Sequence, residues 1–373
     1  MVTALQQPDP HVATSRVPAV IFGPSAAAAA VLLRHGIPVT VVHDGPLRTR
    51  LPAGASFQIC PSYSEHCDDH AWVEALVATR SSTHEAPRSV LFPSTDRALL
   101  AIGRQRPLLD ARFVVEAPPP DVAAMVIDKA AFAAWALECR LPIPDSLLIP
   151  RGSDPLAVRA LPMPVIIKPQ HTFQLEVSDG AKLFLAADGD QAVEMVKRCH
   201  SRDMDVVAQQ DLSAFGSRQW SLCVLCGPDG DILSAVLSLK LRQVAWGAGT
   251  AVETIPMDHQ VFEAGKQVCR ALGTPGIFEI ELRPDAAGAP RVIEVNARIW
   301  SQVELPQRAG IDLLYGAWCA AIGRPVALPS RYRAGIVWWS WKRDLRVSAY
   351  LARHGRLNAI EFLSSIVRAR VIE

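Results

Sequence analysis

Apolar and polar residues follow one another along the first hundred positions in blocks that predict alternating strands and helices. Residues 17–42 read VPAVIFGPSAAAAAVLLRHGIPVTVV: an apolar strand, a Gly-Pro-Ser turn, an alanine-rich helix ending at Gly36, and a second apolar strand. Such a strand–helix–strand unit builds a parallel sheet and directs the N–H groups at the helix start toward any anionic ligand. The opening therefore predicts an α/β domain.

A further apolar strand at residues 90–92 runs into a short polar segment before a helical pattern begins. Ser94 or Asp96 is expected to cap that helix. Because small polar groups at the carboxyl ends of strands also line the crevices of open α/β sheets, a substrate contact is the alternative.

Two lysines in the middle of the chain occupy positions that suit a phosphate ligand. The segment APPPD at 117–121 breaks regular structure and predicts a domain boundary. Asp128 then caps a helix with Lys129 in its first turn, beside the positive end of the helix dipole. Lys168 closes the short apolar strand PVIIKP. Each lysine either neutralises a bound anion or reaches solvent, and the local sequence leaves both interpretations open.

The strongest pattern is GIFEIELRPDAAGAPRVIEVNAR at 276–298, in which two strands flank a turn. With a period of two, each strand carries polar side chains on one face: Glu279, Glu281 and Arg283 in the first, and Glu294, Asn296 and Arg298 in the second. Phe278, Ile280 and Leu282, and Ile293 and Val295, take the opposite faces. If the strands pair as a hairpin on the core, the polar groups converge on one cavity.

Carboxylates that face one another repel, so a cation is expected between them. One or two carboxylates with an amide oxygen, and no His or Cys nearby, suit Mg²⁺ bound to nucleotide phosphates better than zinc. The alternative is a solvated polar face in which Arg283 and Arg298 pair with the acids.

The composition excludes several classes of function. The 373 residues contain 38 Lys and Arg against 37 Asp and Glu, so no global field would attract nucleic acid or an anionic membrane. Residues 1–16 lack an apolar secretion signal and are expected to form a disordered arm. Apolar runs fall short of the roughly 20 residues that span a bilayer. A cytoplasmic protein without membrane association is expected.

Eight cysteines are scattered along the chain, several in apolar runs, which favours a reducing compartment. Cys223 and Cys226 form a CxxC motif within a predicted strand, where positions three apart point to opposite faces, so core thiols are expected. A second cluster has no familiar zinc spacing and is expected to be a solvated loop: Cys60, His66, Cys67 and His70.

The segment IEVNAR at 293–298 resembles the signature of the ATP-grasp superfamily, in which Glu and Asn bind magnesium and Arg contacts the transferred phosphate. Four other segments agree with it in order. Residues 20–42 resemble the preATP-grasp domain. DKAAFAAWALECRLPIP resembles the first ATP-lysine segment, PVIIKP the second, and VVAQQDLSAFG at 206–216 the hinge whose backbone contacts adenine. LKLRQVAWGAGTAVETI at 239–255 resembles the substrate strand of stand-alone carboxylate–amine ligases.

The resemblance implies a role for each matching residue. Lys129 and Lys168 would hold ATP phosphates, with the hinge contacts made by Gln209, Gln210, Asp211 and Leu212. Magnesium would be bound by Glu281, Glu294 and Asn296, with Glu279 as the alternative to Glu281. Arg298 and Arg242 would stabilise an acyl phosphate, although Arg242 could equally be a surface residue.

The resemblance also implies the organisation of the chain. A Rossmann-like preATP-grasp parallel sheet at 17–118 would precede an α+β ATP-grasp fold of two subdomains, at 119–212 and 213–328. Beyond the resemblance, the helical spacing of apolar residues predicts a helical tail at 329–373, whose tryptophans pack on the main body or a second subunit. Membrane-surface binding by this basic, aromatic tail is the less favoured alternative, since it lacks a long one-sided apolar stripe.

The implied activity is an ATP-dependent ligase that activates a small carboxylate as an acyl phosphate and joins it to an amine. Two Mg²⁺ ions would bind with ATP, Mn²⁺ being a substitute, and a homodimer is left open. Two departures from the family pattern favour a non-catalytic nucleotide-binding protein as the alternative: Gln210 replaces the usual hinge glutamate, and the loop at 170–182 contains a single glycine. A dinucleotide-dependent oxidoreductase is remote because the three-glycine fingerprint is missing.

Overall fold

A computed structural model of the chain describes residues 17–47, 49–63, 71–79, 88–169, 184–215, 218–244, 248–325 and 327–372. Three of the sequence predictions fall outside these ranges. They concern the arm at 1–16, the loop at 170–182, and the histidines of the Cys/His cluster together with Cys67.

The first part of the chain forms a five-stranded parallel sheet in the order β3-β2-β1-β4-β5. Its strands are β1 (Ala19–Phe22), β2 (Val39–His43), β3 (Ala55–Ile59), β4 (Ser89–Pro93) and β5 (Phe113–Val115). Its helices are α1 (Ala26–Arg34), α2 (Ala71–Ala78), α3 (Asp96–Arg104) and α4 (Arg106–Asp110). The predicted strand–helix–strand opening is confirmed.

The sheet order reverses between β1 and β4, whose carboxyl ends approach each other closely. Ser25 caps α1 by accepting a hydrogen bond from the Ala28 backbone N–H. Gly23 has a φ of +116°, and a Cβ at this position would lie 2.3 Å from Ser94 Oγ. Glycine is therefore required on both conformational and steric grounds at this crevice.

A second, antiparallel sheet has the order β6-β9-β7-β8. Its strands are β6 (Ser146–Ile149), β7 (Val165–Pro169), β8 (Phe184–Ala186) and β9 (Val206–Gln210), and α7 (Gly189–His200) packs on it. The helices α5 (Pro120–Ile127) and α6 (Lys129–Glu138) precede it. Short 3-10 helices occupy Pro155–Ala160 and Leu212–Phe215.

The third sheet has seven described strands in the order β14-β13-β10-β11-β12-β15-β16. They are β10 (Trp220–Cys226), β11 (Ile232–Gln243), β12 (Gly249–Thr254), β13 (Gly276–Pro284), β14 (Pro290–Asn296), β15 (Val337–Trp339) and β16 (Ala369–Ile372). The accompanying helices are α8 (His259–Leu272), α9 (Glu304–Ala309), α10 (Leu313–Ala321), α11 (Trp341–Arg353) and α12 (Ala359–Arg368).

Helix α8 covers one face of this sheet because its apolar residues recur at helical spacing. Val261, Ala264, Val268 and Leu272 are buried against the alternate apolar residues of β10 and β13. The opposite face of the third sheet carries polar side chains at one end. At the end near α10 it packs against the parallel sheet.

The C-terminal segment contains strands as well as the predicted helices. β15 pairs with β12, and β16 pairs in parallel with β15, so the segment extends the third sheet by two strands. Trp338 is fully buried against Val252, Leu305 and Val371. Trp341 is exposed, so the tryptophans do not share one packing role.

The predicted core thiols are confirmed. Cys223 faces the parallel sheet and Cys226 faces α8, on opposite sides of β10. Every cysteine in the described ranges is a free thiol. Among the described helices, none is both long and apolar enough to cross a membrane.

Candidate active site

A cavity of about 920 Å³ lies where the three sheets meet. The charged side chains that line it come from distant parts of the sequence: Asp96, Arg97, Lys129, Lys168, Asp211, Lys240, Glu279, Glu281, Arg283, Glu294 and Arg298. Of the eleven predicted site residues, Arg242 is the one that does not line it.

The predicted hairpin forms the floor of the cavity. β13 and β14 pair antiparallel, with Glu281 directly opposite Glu294 and Glu279 directly opposite Asn296. Directly opposed side chains on one face have Cβ atoms about 5 Å apart. The two strands therefore bring the predicted carboxylates and amide together.

One detail of the predicted alternation is wrong. The register shifts between Glu281 and Leu282, so that Leu282 pairs with Val292 rather than with Ile293. A bulge of this kind inserts one extra residue and moves the following side chains to the other face. Val292 accordingly enters the core and Ile293 lines the cavity, which strict alternation could not predict.

Glu279 is buried and its carboxylate is fully engaged by neighbouring polar groups. It accepts hydrogen bonds from Ser221 Oγ at 2.6 Å, from Gln302 Nε2, and from Asn296 Nδ2 at 3.1 Å. A carboxylate with three donors needs no cation, so Glu279 is suited to orient Asn296 and not to bind a metal.

Glu281 lines the cavity and has one carboxylate oxygen engaged. Its Oε2 lies 2.8 Å from Lys240 Nζ and accepts a hydrogen bond from Gln219 Nε2 at 2.5 Å. No partner for Oε1 exists among the described residues. This arrangement favours Glu281 over Glu279 as a cation ligand.

Glu294 is open to the cavity and forms no hydrogen bond or ion pair within the described ranges. Burial, followed by repulsion from Glu281, raises the pKa of Glu294 above its ordinary value, while Lys129 and Lys240 partly offset the rise. An unpaired carboxylate opposite another is unfavourable unless a cation joins them. The site is therefore electrostatically prepared for a positive ligand.

These groups fit Mg²⁺ bound together with phosphates. Glu294 offers both oxygens, Glu281 offers Oε1, and Asn296 Oδ1 keeps a lone pair beside its bond from Arg298. No group of three or more His, Cys, Asp or Glu side chains in the described ranges could hold an ion alone. Mg²⁺ commonly takes its remaining ligands from substrate phosphates and water.

The two predicted lysines face this site from the second sheet and from α6. Lys168 Nζ donates a hydrogen bond to Gln209 Oε1 at 2.6 Å, and Gln209 in turn bonds to Ser146. Burial, followed by the charge of Lys129, lowers the pKa of Lys168 to about 8. Two lysines close enough to repel each other indicate an anionic ligand.

Arg298 connects the hairpin to the parallel sheet. Its Nη2 donates to Asn296 Oδ1 at 3.0 Å, and its Nε donates to Asp96 Oδ1 at 2.5 Å. The predicted capping role of Asp96 or Ser94 is wrong, because Thr95 Oγ1 accepts the capping bond from Ala98 N–H. Ser94 and Asp96 line the cavity instead, and the alternative that they contact substrate stays a prediction.

Several solved structures share this arrangement of sheets along most of the chain. The L-amino acid ligase from Bacillus licheniformis matches with a TM-score of 0.61 at 18% identity, covering 83% of this chain and 75% of that one. N5-carboxyaminoimidazole synthetase from Staphylococcus aureus complexed with ADP matches with a TM-score of 0.65 at 14% identity, covering 92% and 88%. A biotin carboxylase complex from Campylobacter jejuni matches with a TM-score of 0.62 at 14% identity, covering 84% and 73%.

The chain has the ATP-grasp fold. Neither a protein-family model nor a curated protein sequence matches it. The predicted fold class, a parallel sheet followed by the ATP-grasp sheets, is confirmed. At these identities the similarity concerns the fold, so the role of each residue is argued from the geometry above.

The segment predicted to form the hinge lines the cavity from Gln209 to Leu212. Gln210 continues β9 by donating its backbone N–H to Asp145 O at 2.8 Å. The Asp211 carboxylate accepts bonds from the Ser213 backbone N–H at 2.8 Å and from its hydroxyl at 2.6 Å. The Asp211 carboxylate is thus engaged by Ser213. The neighbouring polar side chain that lines the cavity is Gln210.

Arg242 lies outside the cavity lining. Its guanidinium binds both carboxylate oxygens of Asp344 at 2.7 to 3.0 Å and donates to Ser365 Oγ at 2.8 Å. A bulge between Lys240 and Arg242 in β11 explains this position, because it turns Arg242 to the face opposite Lys240. The structure therefore does not bring Arg242 together with the other predicted residues.

Lys240 is the site residue that the sequence reasoning missed. Its side chain is 2% exposed, and its ion pair with Glu281 places a cation on the cavity face of β11. Burial tends to lower the pKa of Lys240, but Glu281 and then Glu279 raise it above its ordinary value. In the sequence Lys240 stands between Leu239 and Leu241, and this alternation could have predicted that its side chain lies on the polar face of the strand.

Proposed function

We propose that this chain is an ATP- and Mg²⁺-dependent ligase that joins a small carboxylic acid, such as an amino acid, to an amine. The observation that carries the proposal is the opposition of Glu281 and Glu294 across from Lys129 and Lys168 in one cavity. This arrangement combines a divalent-cation site with a phosphate site. The similar structures are a ligase, a synthetase and a carboxylase, and their activities support this reaction class.

The chemistry requires activation because a carboxylate at neutral pH has no adequate leaving group. A carboxylate oxygen of the acid attacks the γ-phosphorus of ATP, the bond to ADP breaks, and a mixed anhydride forms. The amine nitrogen then attacks the carbonyl carbon, inorganic phosphate leaves, and the nitrogen loses a proton. Both steps depend on charge neutralisation and alignment and need no protein nucleophile.

Each side chain has a role that follows from its position. Lys129 and Lys168 bind phosphate oxygens, and Glu281, Glu294 and Asn296 would hold Mg²⁺. The metal, when bound, neutralises charge on the transferred phosphoryl group. Arg298 lies beside Asn296 and orients the transferred phosphate, while Lys240 stabilises Glu281 and attracts the acid substrate. Arg242 has no role in this scheme.

The proposed organisation assigns the parallel sheet to the preATP-grasp domain and the other two sheets to the ATP-grasp subdomains. ATP would lie between residues 119–212 and 213–328, with the hinge segment contacting adenine. A cytoplasmic location and small-molecule partners belong to the same proposal. Mn²⁺ would replace Mg²⁺, since both prefer oxygen ligands.

A non-catalytic nucleotide-binding protein is the second candidate, and Gln210 at the hinge is the observation that favours it. An amide in place of the expected carboxylate changes the hydrogen bonds offered to the nucleotide. Such a protein would bind ATP and Mg²⁺ without consuming ATP in the presence of any acid and amine.

The test is ADP release during a screen of amino acids and small carboxylic acids with an amine, with products identified by mass spectrometry. We expect release that requires Mg²⁺, acid and amine together, and loss of release in Glu294→Ala. Glu138→Ala, at an exposed position on α6, is the matched control and should remain active. Full turnover by Glu294→Ala would refute the role, and nucleotide binding without acid-dependent release would establish the second candidate.

A further inference from the structure

The outer face of α12 carries a stripe of large aliphatic side chains that contact no core. Ile360, Leu363 and Val367 are 81%, 61% and 76% exposed. Their spacing of three and four residues places them on one side of the helix, opposite Ser365, which is fully buried. Soluble proteins rarely leave a contiguous apolar ridge uncovered unless it binds something.

The neighbouring helix α11 adds a cationic surface. Lys342, Arg346 and Arg353 are exposed on α11, and Arg356 and Arg370 are exposed nearby. None of the five forms an ion pair with another residue in the described ranges. The single exposed acid in the described part of this region is Glu361, because Asp344 is buried.

One buried side chain fixes both helices on the same side of the third sheet. Arg242 binds Asp344 of α11 and Ser365 of α12. Because the inner faces of the two helices converge on Arg242, their outer faces point away from the sheet together. The aliphatic stripe and the cations therefore form one surface, here called the C-terminal surface.

We propose that the C-terminal surface docks this protein on anionic lipid bilayers. Charge complementarity decides the occupant. A second copy of the chain would bring two sets of unpaired cations together, and nucleic acid would leave the aliphatic stripe uncovered. An anionic bilayer satisfies both features, since acyl chains accept the aliphatic groups and headgroups attract the arginines.

The mode of binding follows from the size of the surface. Three aliphatic side chains on a ten-residue helix would enter the headgroup boundary without crossing the bilayer. Exposed aromatic side chains at Trp341 and Tyr350 suit the same boundary. Binding is reversible and weakens at high salt, because the cations supply much of the attraction. The proposal does not depend on the ligase reaction. Lys240 faces the cavity from β11, whereas Arg242, which binds the two helices, points to the other face of the strand.

The test is co-sedimentation of the full chain with phosphatidylcholine vesicles that contain or lack phosphatidylglycerol. We expect binding to the anionic vesicles alone. The variant Ile360→Ser/Leu363→Ser/Val367→Ser should reduce partitioning at least about tenfold. The control Leu156→Ser/Leu185→Ser/Leu233→Ser alters three exposed leucines elsewhere, 53%, 47% and 61% exposed, and should bind as the parent does. Circular dichroism establishes that each variant is folded.

Two further measurements complete the test: vesicle binding by a charge-reversal variant, and the molecular mass of the protein in solution. Arg346→Glu/Arg353→Glu should abolish binding to anionic vesicles at low salt. The proposal is overturned if the parent fails to bind anionic vesicles, or if the stripe variant binds as well as the leucine control. It is also overturned if light scattering shows a dimer that the stripe variant converts to a monomer without any vesicle binding, since a second copy would then be the occupant.

Discussion

The protonation of Lys168 depends strongly on its surroundings in the cavity. Burial and Lys129 lower its pKa from 10.5 to about 8. Between these pH values the unfolded chain holds a proton on this group that the folded chain lacks. The contribution of Lys168 to stability therefore rises with pH in this window. If Lys168 binds phosphate as proposed, its affinity for phosphate should fall as the proton is lost.

This difference predicts the pH dependence of nucleotide binding. Affinity for Mg²⁺ and ADP should decrease by up to about tenfold per pH unit above pH 8, as measured by calorimetry. Lys168→Gln should bind weakly with no such decrease in the same range. If Lys168→Gln still loses affinity as the pH rises above 8, the pH dependence belongs to another titrating group.

Because Lys240 and Glu281 form a buried ion pair, we expect the loss of either charge alone to lower the stability of the fold. Lys240→Met leaves a buried carboxylate facing Glu294, which should lower the free energy of unfolding in urea by about 3 kcal/mol. Lys240→Met/Glu281→Gln removes the uncompensated charge and should regain most of the stability without regaining ATP turnover. Equal stability of the single and double variants would contradict the pairing.

At the scale of elements, two bulges decide which side chains enter the cavity. The bulge in β14 brings Ile293 to the cavity, and the bulge in β11 sends Arg242 away from it. In each case one inserted residue reverses the faces that follow. The sequence therefore predicts the strands correctly. Beyond each bulge, however, the side chains that face the cavity differ from those that strict alternation predicts.

The position of Arg242 leads to a prediction that separates stability from catalysis. Arg242→Met leaves Asp344 buried without a cation, so the free energy of unfolding should fall by about 3 kcal/mol. Turnover per folded molecule should be unchanged. Adding Asp344→Asn should recover part of the stability. Loss of turnover at full stability would return Arg242 to the catalytic set.

At the scale of the whole molecule, the site exists because three sheets meet. The hairpin supplies the acids, the second sheet supplies Lys168, and the parallel sheet supplies Asp96, which is 202 residues from Arg298 in sequence. Each sheet alone carries an incomplete set of charges. The parallel sheet therefore takes part in orienting the site as well as enclosing it.

The contact between Asp96 and Arg298 predicts an effect on turnover with little effect on stability. The pair is partly exposed, at 51% and 19%, so Asp96→Asn should change the melting temperature little. Turnover should fall about tenfold because Arg298 loses its orientation. Asp110→Asn breaks a pair of similar exposure with Arg106, at 51% and 22%, and should leave turnover intact. Equal activities of the two variants would exclude the orienting role.

The order of elements and most of the cavity residues could be predicted from the sequence because they depend on local periodicity. Apolar runs marked the opening unit, β7 and the hairpin, and a period of two placed Glu281 and Glu294 on one face. The resemblance to a known family then joined these segments. The roles of the individual side chains stay predictions until the variants are measured.

Outside the two bulges, the sequence alone was enough to assign the polar and the buried faces of the strands, since neighbouring residues set that pattern through backbone geometry. Tertiary contacts were needed to place Lys240 in the cavity and Arg242 outside it, and they support the preference for Glu281 over Glu279 that the family resemblance had already implied. Ser221 and Gln302 engage Glu279 from distant segments, and one inserted residue in β11 redirects Arg242. Such contacts arise where separate elements meet, so no local pattern records them.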